Sequence, residues 1–198
     1  MRNFTERTIE IGAWITLSTV LLYTAGWSYA YHWFDRFNLG MIQLGIPTEY
    51  HLMYGFWVLR DHAWWLLTAF VLALVLWYSR PPMPHWARWG ALPLLVAVFM
   101  LVYAFGEKSA DHDFRQHRAD GFQSYPWTRV WLAAESKADP VLMNLAGELA
   151  AGRYRLLVQS ETSLFLIKPK QQGEMPTVRI PLRRVTATRR MPVNPGRR

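Results

Sequence analysis

The chain has 198 residues, 52% hydrophobic, 15% aromatic and 18% charged, with no cysteine and a formal net charge of +8. Residues 1–106 carry six Arg, no Lys and five acids, whereas residues 107–198 carry sixteen basic and nine acidic residues. Ordinary soluble domains are about 25% charged, so this asymmetry excludes one uniform soluble domain and a disordered chain, and the lack of Cys excludes disulfides, iron–sulfur clusters, thiol nucleophiles and Cys-ligated zinc.

Three stretches approach the ~20 apolar residues that cross a bilayer core of roughly 30 Å. The first, residues 11–34, has no Asp, Glu, Lys or Arg but holds Thr16, Ser18, Thr19, Thr24 and Ser28. It reads as a retained helix rather than a cleaved signal: Glu6 and Glu10 dilute the charge of Arg2 and Arg7, and aromatic residues crowd the small-residue site at Ser28–Ala30. Gly26 and Ala30 lie one turn apart and would admit a close neighbouring helix, although such a pair is common by chance. The second, 62–79, and the third, 89–106, are richer in Leu, Val and Phe, and Pro93 falls in a first turn, where its missing N–H costs little. Trp27, Trp33, Trp57, Trp64, Trp65, Trp77, Trp86 and Trp89 cluster near the span ends, as amphipathic indoles do at a headgroup layer.

Between the first two spans, residues 37–59 carry one charge, Glu49, yet Gly40, Gly45 and Pro47 interrupt any helix. This predicts a re-entrant or interfacial segment, then a short helix that starts at Pro47-Thr48-Glu49 and runs into the second span; the alternative is a fourth span. The residues Trp33, Phe34, Phe37, Leu39, Ile46 and Pro47 follow the pattern Trp-Phe-x-x-Phe-x-Leu before an Ile-Pro. In this the chain resembles bacterial multi-pass inner-membrane proteins with an aromatic-rich first loop. The resemblance covers about 50 residues and implies a membrane bundle but no activity.

Ionisable residues gather around this segment. His32, Asp35, Glu49, His51 and His62 form the candidate functional cluster, with Asp61 beside it. Such groups at membrane depth are functional candidates; the ordinary alternative is that they pair locally in a wet interface. The short 80–88 loop packs two Arg into nine residues, which favours a cytoplasmic N-terminus and a periplasmic C-terminal domain in a multi-pass inner-membrane topology.

Residues 107–185 read as a small α+β domain. A helix continues from Glu107 to about Asp120. A strand is expected at 128–132, a helix from Asp139-Pro140 to Gly152, and strands at 154–159, 163–169 and 177–185. Val130, Leu132, Leu156, Val158, Phe165, Ile167 and Ile180 are the expected core. Residues 186–198 read as a basic Arg/Pro-rich tail. Asp113, His117 and Asp120 share one helical face and are the metal candidates, although the neighbouring Lys108, Arg115 and Arg118 point to a solvated, salt-bridged helix; no metal or other cofactor is expected. The chain has no phosphate-binding glycine loop, nucleophile elbow or zinc-protease motif, and the Arg-rich tail lacks a base-reading companion, so no nucleic-acid partner is expected. The expected protein is therefore an α-helical membrane protein with three transmembrane helices, an interfacial segment and a small α+β C-terminal domain. It is expected to be non-catalytic, with membrane lipid and a protein partner or second copy as its contacts. A membrane-active effector or immunity protein of a bacterial conflict system is the alternative, with a membrane-embedded lipid enzyme behind it.

Overall fold

A computed structural model describes residues 4–65, 67–68, 71–72, 75, 91–133, 139–170, 173 and 175–191. These form five helices, α1 (Phe4–Asp35), α2 (Met41–Leu44), α3 (Thr48–Asp61), α4 (Ala91–Ala119) and α5 (Pro140–Ala151), and five strands, β1 (Trp127–Leu132), β2 (Tyr154–Gln159), β3 (Ser163–Ile167), β4 (Thr177–Pro181) and β5 (Val185–Arg190). The described positions at 63–65, 67–68, 71–72 and 75 are also helical. The chain divides into two compact units, one of residues 1–33 and 47–111, the other of residues 34–46 and 112–198.

In the first unit, glycine lets helix backbones touch. A Cβ on Gly26 of α1 would fall inside the carbonyl oxygen of His51 and 2.6 Å from the Gly55 nitrogen, both on α3. One on Gly55 would strike the Leu22 carbonyl, and one on Gly106 of α4 would lie 2.7 Å from that of Ala25. Ser28, fully buried between these contacts, donates its hydroxyl to the Tyr103 carbonyl at 2.7 Å. Small residues that bring backbones this close are the usual device for joining helices without a hydrophobic driving force between them. Ala30 and Ala110 are also completely buried, and Tyr29 stacks on Tyr54 of α3 at 5.4 Å.

One helix among the described residues, Leu92–Ala119, is long and apolar enough to cross a membrane, and only 11% of its most apolar window is buried. The sequence predicts three spans; the described residues match that length and apolarity at this helix alone, and all of 76–90, with part of the second predicted span and the start of the third, lies outside them. The short helix foreseen from Pro47 is present as α3. It pauses at His62, which is not helical, and helical backbone resumes at 63.

α1 and α4 end in the same way. Leu39 N–H bonds to the Phe34 carbonyl and Asn38 N–H to that of Asp35; Phe122 N–H bonds to His117 and Gly121 N–H to Arg118. Asn38 and Gly121 take φ of 54° and 61°. Each is a Schellman cap, whose left-handed residue suits Gly or Asn. Both caps belong to the second unit, where they turn Phe37 and Phe122 onto Phe114. The ring centroids lie 5.6 Å (Phe37–Phe114), 5.7 Å (Phe37–Phe122) and 6.1 Å (Phe114–Phe122) apart in edge-on contacts.

The sheet is antiparallel throughout its pairings, in the order β4-β3-β2-β1-β5. Its two edge strands are joined only by the 3₁₀ turn Leu182–Arg184. Four peptide steps reach at most about 14 Å, whereas the edges of a flat five-stranded sheet stand roughly 19 Å apart. The sheet must therefore coil strongly towards closure. Register shifts at Trp131/Leu132 and Leu156/Val158 supply bends, and the turn is tied down by Leu182 N–H on the Thr162 carbonyl and Ala133 N–H on that of Arg184. Val130, Tyr154, Leu156, Leu164, Leu166 and Ile180 form the core with Leu149 of α5. α5 begins and ends as its sequence predicts: Asp139 accepts from Val141 N–H at 2.9 Å, and Gly152 takes the left-handed cap at φ 76°.

Three particulars differ from the sequence reading. Val185–Arg190, mostly placed in the basic tail, is a strand paired along β1; residues 192–198 of that tail lie outside the described residues. Leu164 and Leu166, rather than Phe165 and Ile167, face the core cluster, although β3 is buried on both faces. Val158 sits beyond the β2 bulge and is half-buried.

Candidate functional site

The predicted ionisable cluster does not converge on one point. The His32 ring lies 3.9 Å from the Glu107 carboxylate, 2.9 Å from the Ser28 carbonyl and edge-on to Tyr103 at 5.4 Å. His62 stacks on Phe105 with ring centroids 4.4 Å apart, and its Nδ1 lies 3.1 Å from the Val58 carbonyl and 3.5 Å from the Ser109 hydroxyl. Both histidines thus pack on α4 between Tyr103 and Ser109. His51 is buried, edge-on to Tyr23 at 5.5 Å. Glu49 is exposed in the first turn of α3. Asp35 belongs to the second unit, as the acceptor of the α1 cap.

The metal candidates fare similarly. His117 turns its ring to Phe122 and Tyr125, at 6.2 and 5.7 Å, and Asp120 is exposed next to the left-handed Gly121. Among the described residues no three His, Asp or Glu side chains are placed to share a metal ion. The Schellman turn rotates the chain away after Ala119, so the helical spacing that suggested a shared face stops before Asp120.

A third ionisable group was not foreseen. On α5, Glu148 accepts from Lys168 Nζ at 2.7 Å and from the Tyr154 hydroxyl at 3.0 Å, with Arg153 at 3.5 Å. The Lys168 bond, followed by the Tyr154 bond, holds the Glu148 carboxyl below its ordinary value. Burial, followed by the bond to Glu148, pushes the Tyr154 hydroxyl up to about 12. The ionised Glu148 is therefore the native form, and its contribution is present above the ordinary carboxylate range and lost as pH falls through the lowered value. For Tyr154 the un-ionised form is native, so its contribution is complete below pH ~10 and lost as pH rises towards 12. Glu148→Gln is expected to flatten the fall in urea midpoint below about pH 4.5, and Tyr154→Phe to flatten the fall above about pH 10. Measuring the urea midpoint of the full chain against pH checks both, and unchanged limbs would refute the coupling.

A cleft of about 590 Å³ lies in the second unit. Arg36, Asn38 and Leu39 reach it from the turn after α1, Phe114 and Arg118 from α4, and Lys170, Met175, Thr177 and Arg179 from β4 and the connection before it. The guanidinium carbons of Arg36 and Arg118 lie 5.9 and 6.0 Å from the centre of the Phe114 ring. Arg118 also donates to the Gly173 carbonyl, while its Nε is buried without a partner. Arg179 Nε donates to Ser163 Oγ at 3.1 Å. No described lining residue is acidic. Sequence reasoning missed this group because its members come from three distant segments; the only signal was the basic excess of the second half.

Comparison with family models, with curated proteins and with solved structures finds no match to this chain.

Proposed function

We propose that the chain is a non-catalytic, multi-pass protein of the bacterial inner membrane whose C-terminal α+β unit binds a ligand or partner protein. The observation that carries this reading is the apolar surface left uncovered on helices. Trp14 is 68% exposed, Trp64 76%, Leu92 71% and Met100 69%, with Ile11, Ile15, Leu67, Leu72 and Val96 also exposed. Soluble monomers rarely carry contiguous apolar patches beyond a few hundred Å², and lipid would cover this one. Length and composition favour α4 as one span. For α1, the threonines that lower its hydropathy are satisfied within the helix: Thr16, Thr19 and Thr24 each donate to the carbonyl four residues back, at 2.8–2.9 Å. Such hydroxyls cost less in hydrocarbon than unsatisfied ones. The residues described between 62 and 79 turn Leu67, Val71, Leu72 and Val75 outward, which suits a third span. α3, at 14 residues, is about 21 Å long, shorter than a span, and its exposed Tyr50, Phe56 and Trp57 suit an interfacial position.

The chain has no cysteine, so single-Cys labelling tests the reading directly. Membranes carrying the full chain should retain it through alkaline carbonate extraction. Leu72→Cys and Met100→Cys should resist an impermeant maleimide, while Arg183→Cys should label from the periplasmic side of intact spheroplasts. Release by carbonate would remove the membrane reading. Labelling of Arg183→Cys only after lysis would reverse the orientation and leave insertion standing.

A further inference from the structure

We propose that the 590 Å³ cleft of the second unit is a binding site for the phosphoryl group of a small organic phosphate, carried either by a lipid headgroup or by a soluble ester. The proposal deepens the reading of this unit as a binding module but does not depend on membrane insertion.

Charge comes first. Arg36, Arg118, Lys170 and Arg179 line one concavity, and the described lining holds no carboxylate. Glu174 is the one acid in the segment 168–179, which also contains Lys168, Lys170 and Arg179. Even a fully engaged Glu174 would leave Arg118, Lys170 and Arg179 with a net positive charge in the lining. Like charges brought together repel, and an anion of more than one charge relieves that repulsion where chloride or water does so less.

Geometry suits an oxyanion with several oxygens, as a phosphoryl group has. Guanidinium groups offer planar forks that match phosphoryl oxygens in bidentate fashion. Two of them, Arg36 and Arg118, are stationed beside one ring, Phe114, which limits their freedom. The unpartnered Nε of Arg118 and the unpartnered Oγ1 of Thr177 are buried donors in the same lining. A buried donor without a partner is costly, and a small turn of either side chain towards the cleft would bring its donor to a phosphoryl oxygen.

The rest of the wall describes the organic part of the ligand. Phe37, Leu39, Phe114, Met175 and Pro176 contribute apolar surface beside the cations. The volume lies within the range of small-molecule sites, roughly 300–1,000 Å³, and exceeds what an inorganic ion fills. A phosphate ester with a modest apolar or glycerol-like portion suits both walls.

The test uses the full chain in micelles of neutral detergent, with two probes. Glycerol 3-phosphate represents a soluble ester and dihexanoyl phosphatidic acid a lipid headgroup; dihexanoyl phosphatidylcholine and a short poly-glutamate peptide serve as controls. Isothermal titration should show saturable binding of at least one phosphate probe, with neither control competing. Binding of the lipid probe alone assigns the ligand to the bilayer, and binding of both assigns recognition to the phosphoryl group itself. Arg118→Gln should weaken binding by about tenfold or more. Lys170→Gln, at an exposed position, should weaken it measurably and raise its salt sensitivity no further, which keeps the test valid if Arg118→Gln fails to fold. Arg183→Gln, outside the cleft lining, should bind as wild type. No binding of either probe overturns the proposal, as does equal competition by poly-glutamate or an affinity indifferent to Lys170→Gln. A chain that binds phosphate yet washes from membranes in carbonate would refute the membrane reading alone.

Discussion

Gly26→Ala is expected to separate α1 from α3 and to unfold the first unit at temperatures where the wild type is intact. The new methyl group would overlap the His51 carbonyl and press on the Gly55 nitrogen, and both are backbone atoms of a helix. Neither can rotate aside as a side chain would, so α3 must translate as a body. Overpacking costs about 1–3 kcal/mol where side chains can adjust; here the cost should lie at or above the top of that range. Gly55→Ala meets the Leu22 carbonyl from the other side and should behave alike. Gly12 supplies the control: nothing lies within 4 Å of its added Cβ, and alanine in a helix interior is favoured over glycine by roughly 0.5–1 kcal/mol. Thermal unfolding in one detergent should place Gly12→Ala at or above wild type and Gly26→Ala far below. Equal midpoints would show that the helices do not meet at these glycines.

Phe37→Ala should be the most damaging truncation in the second unit. The ring is 1% exposed and meets both Phe114 and Phe122 edge-on. Loss of a buried phenyl group costs about 3–5 kcal/mol once its cavity is included, a large share of the stability of any single domain. Phe37→Leu, which keeps most of the volume, should recover over half of the loss. Denaturant midpoints read through near-ultraviolet dichroism would follow both variants. A loss below about 1 kcal/mol for Phe37→Ala would mean that the site collapses around the gap.

These residues also show what the sequence made legible. The pair Gly26 and Ala30 permitted a close helix neighbour without requiring one, because small side chains allow such an approach, and at Gly26 the structure places α3 there. α5 was readable from Asp139-Pro140 to Gly152, since capping is a contract between residues a few positions apart. Phe37, by contrast, looked like part of an interfacial aromatic loop. Its partners Phe114 and Phe122 lie far along the chain, and no periodicity joins them. β5 escaped notice because Thr186, Ala187, Thr188, Arg189 and Arg190 are all exposed. Alternation marks a strand only when one face is buried, and an edge strand with two wet faces leaves none to read. The basic cleft was hidden for the same reason as Phe37: composition disclosed the charge but not the convergence.

The coiled sheet has a consequence for the order of events during synthesis. β1 finds its longest pairing with β5, Leu132 opposite Val185 and Thr128 opposite Arg190, whereas it meets β2 only at Trp127 and Thr128. At about 5–20 residues per second, β1 is synthesised roughly 3–12 s before β5. The β2–β3–β4 meander can form in that interval by local hairpin closure, but the sheet cannot close until the last strand arrives. Segment 34–46 must wait as well, since it completes a unit otherwise built from 112–198. Such topology has high contact order, which slows folding. A chain truncated before Val185 should therefore carry a protease-sensitive second unit, and extension through Met191 should convert it to a resistant one.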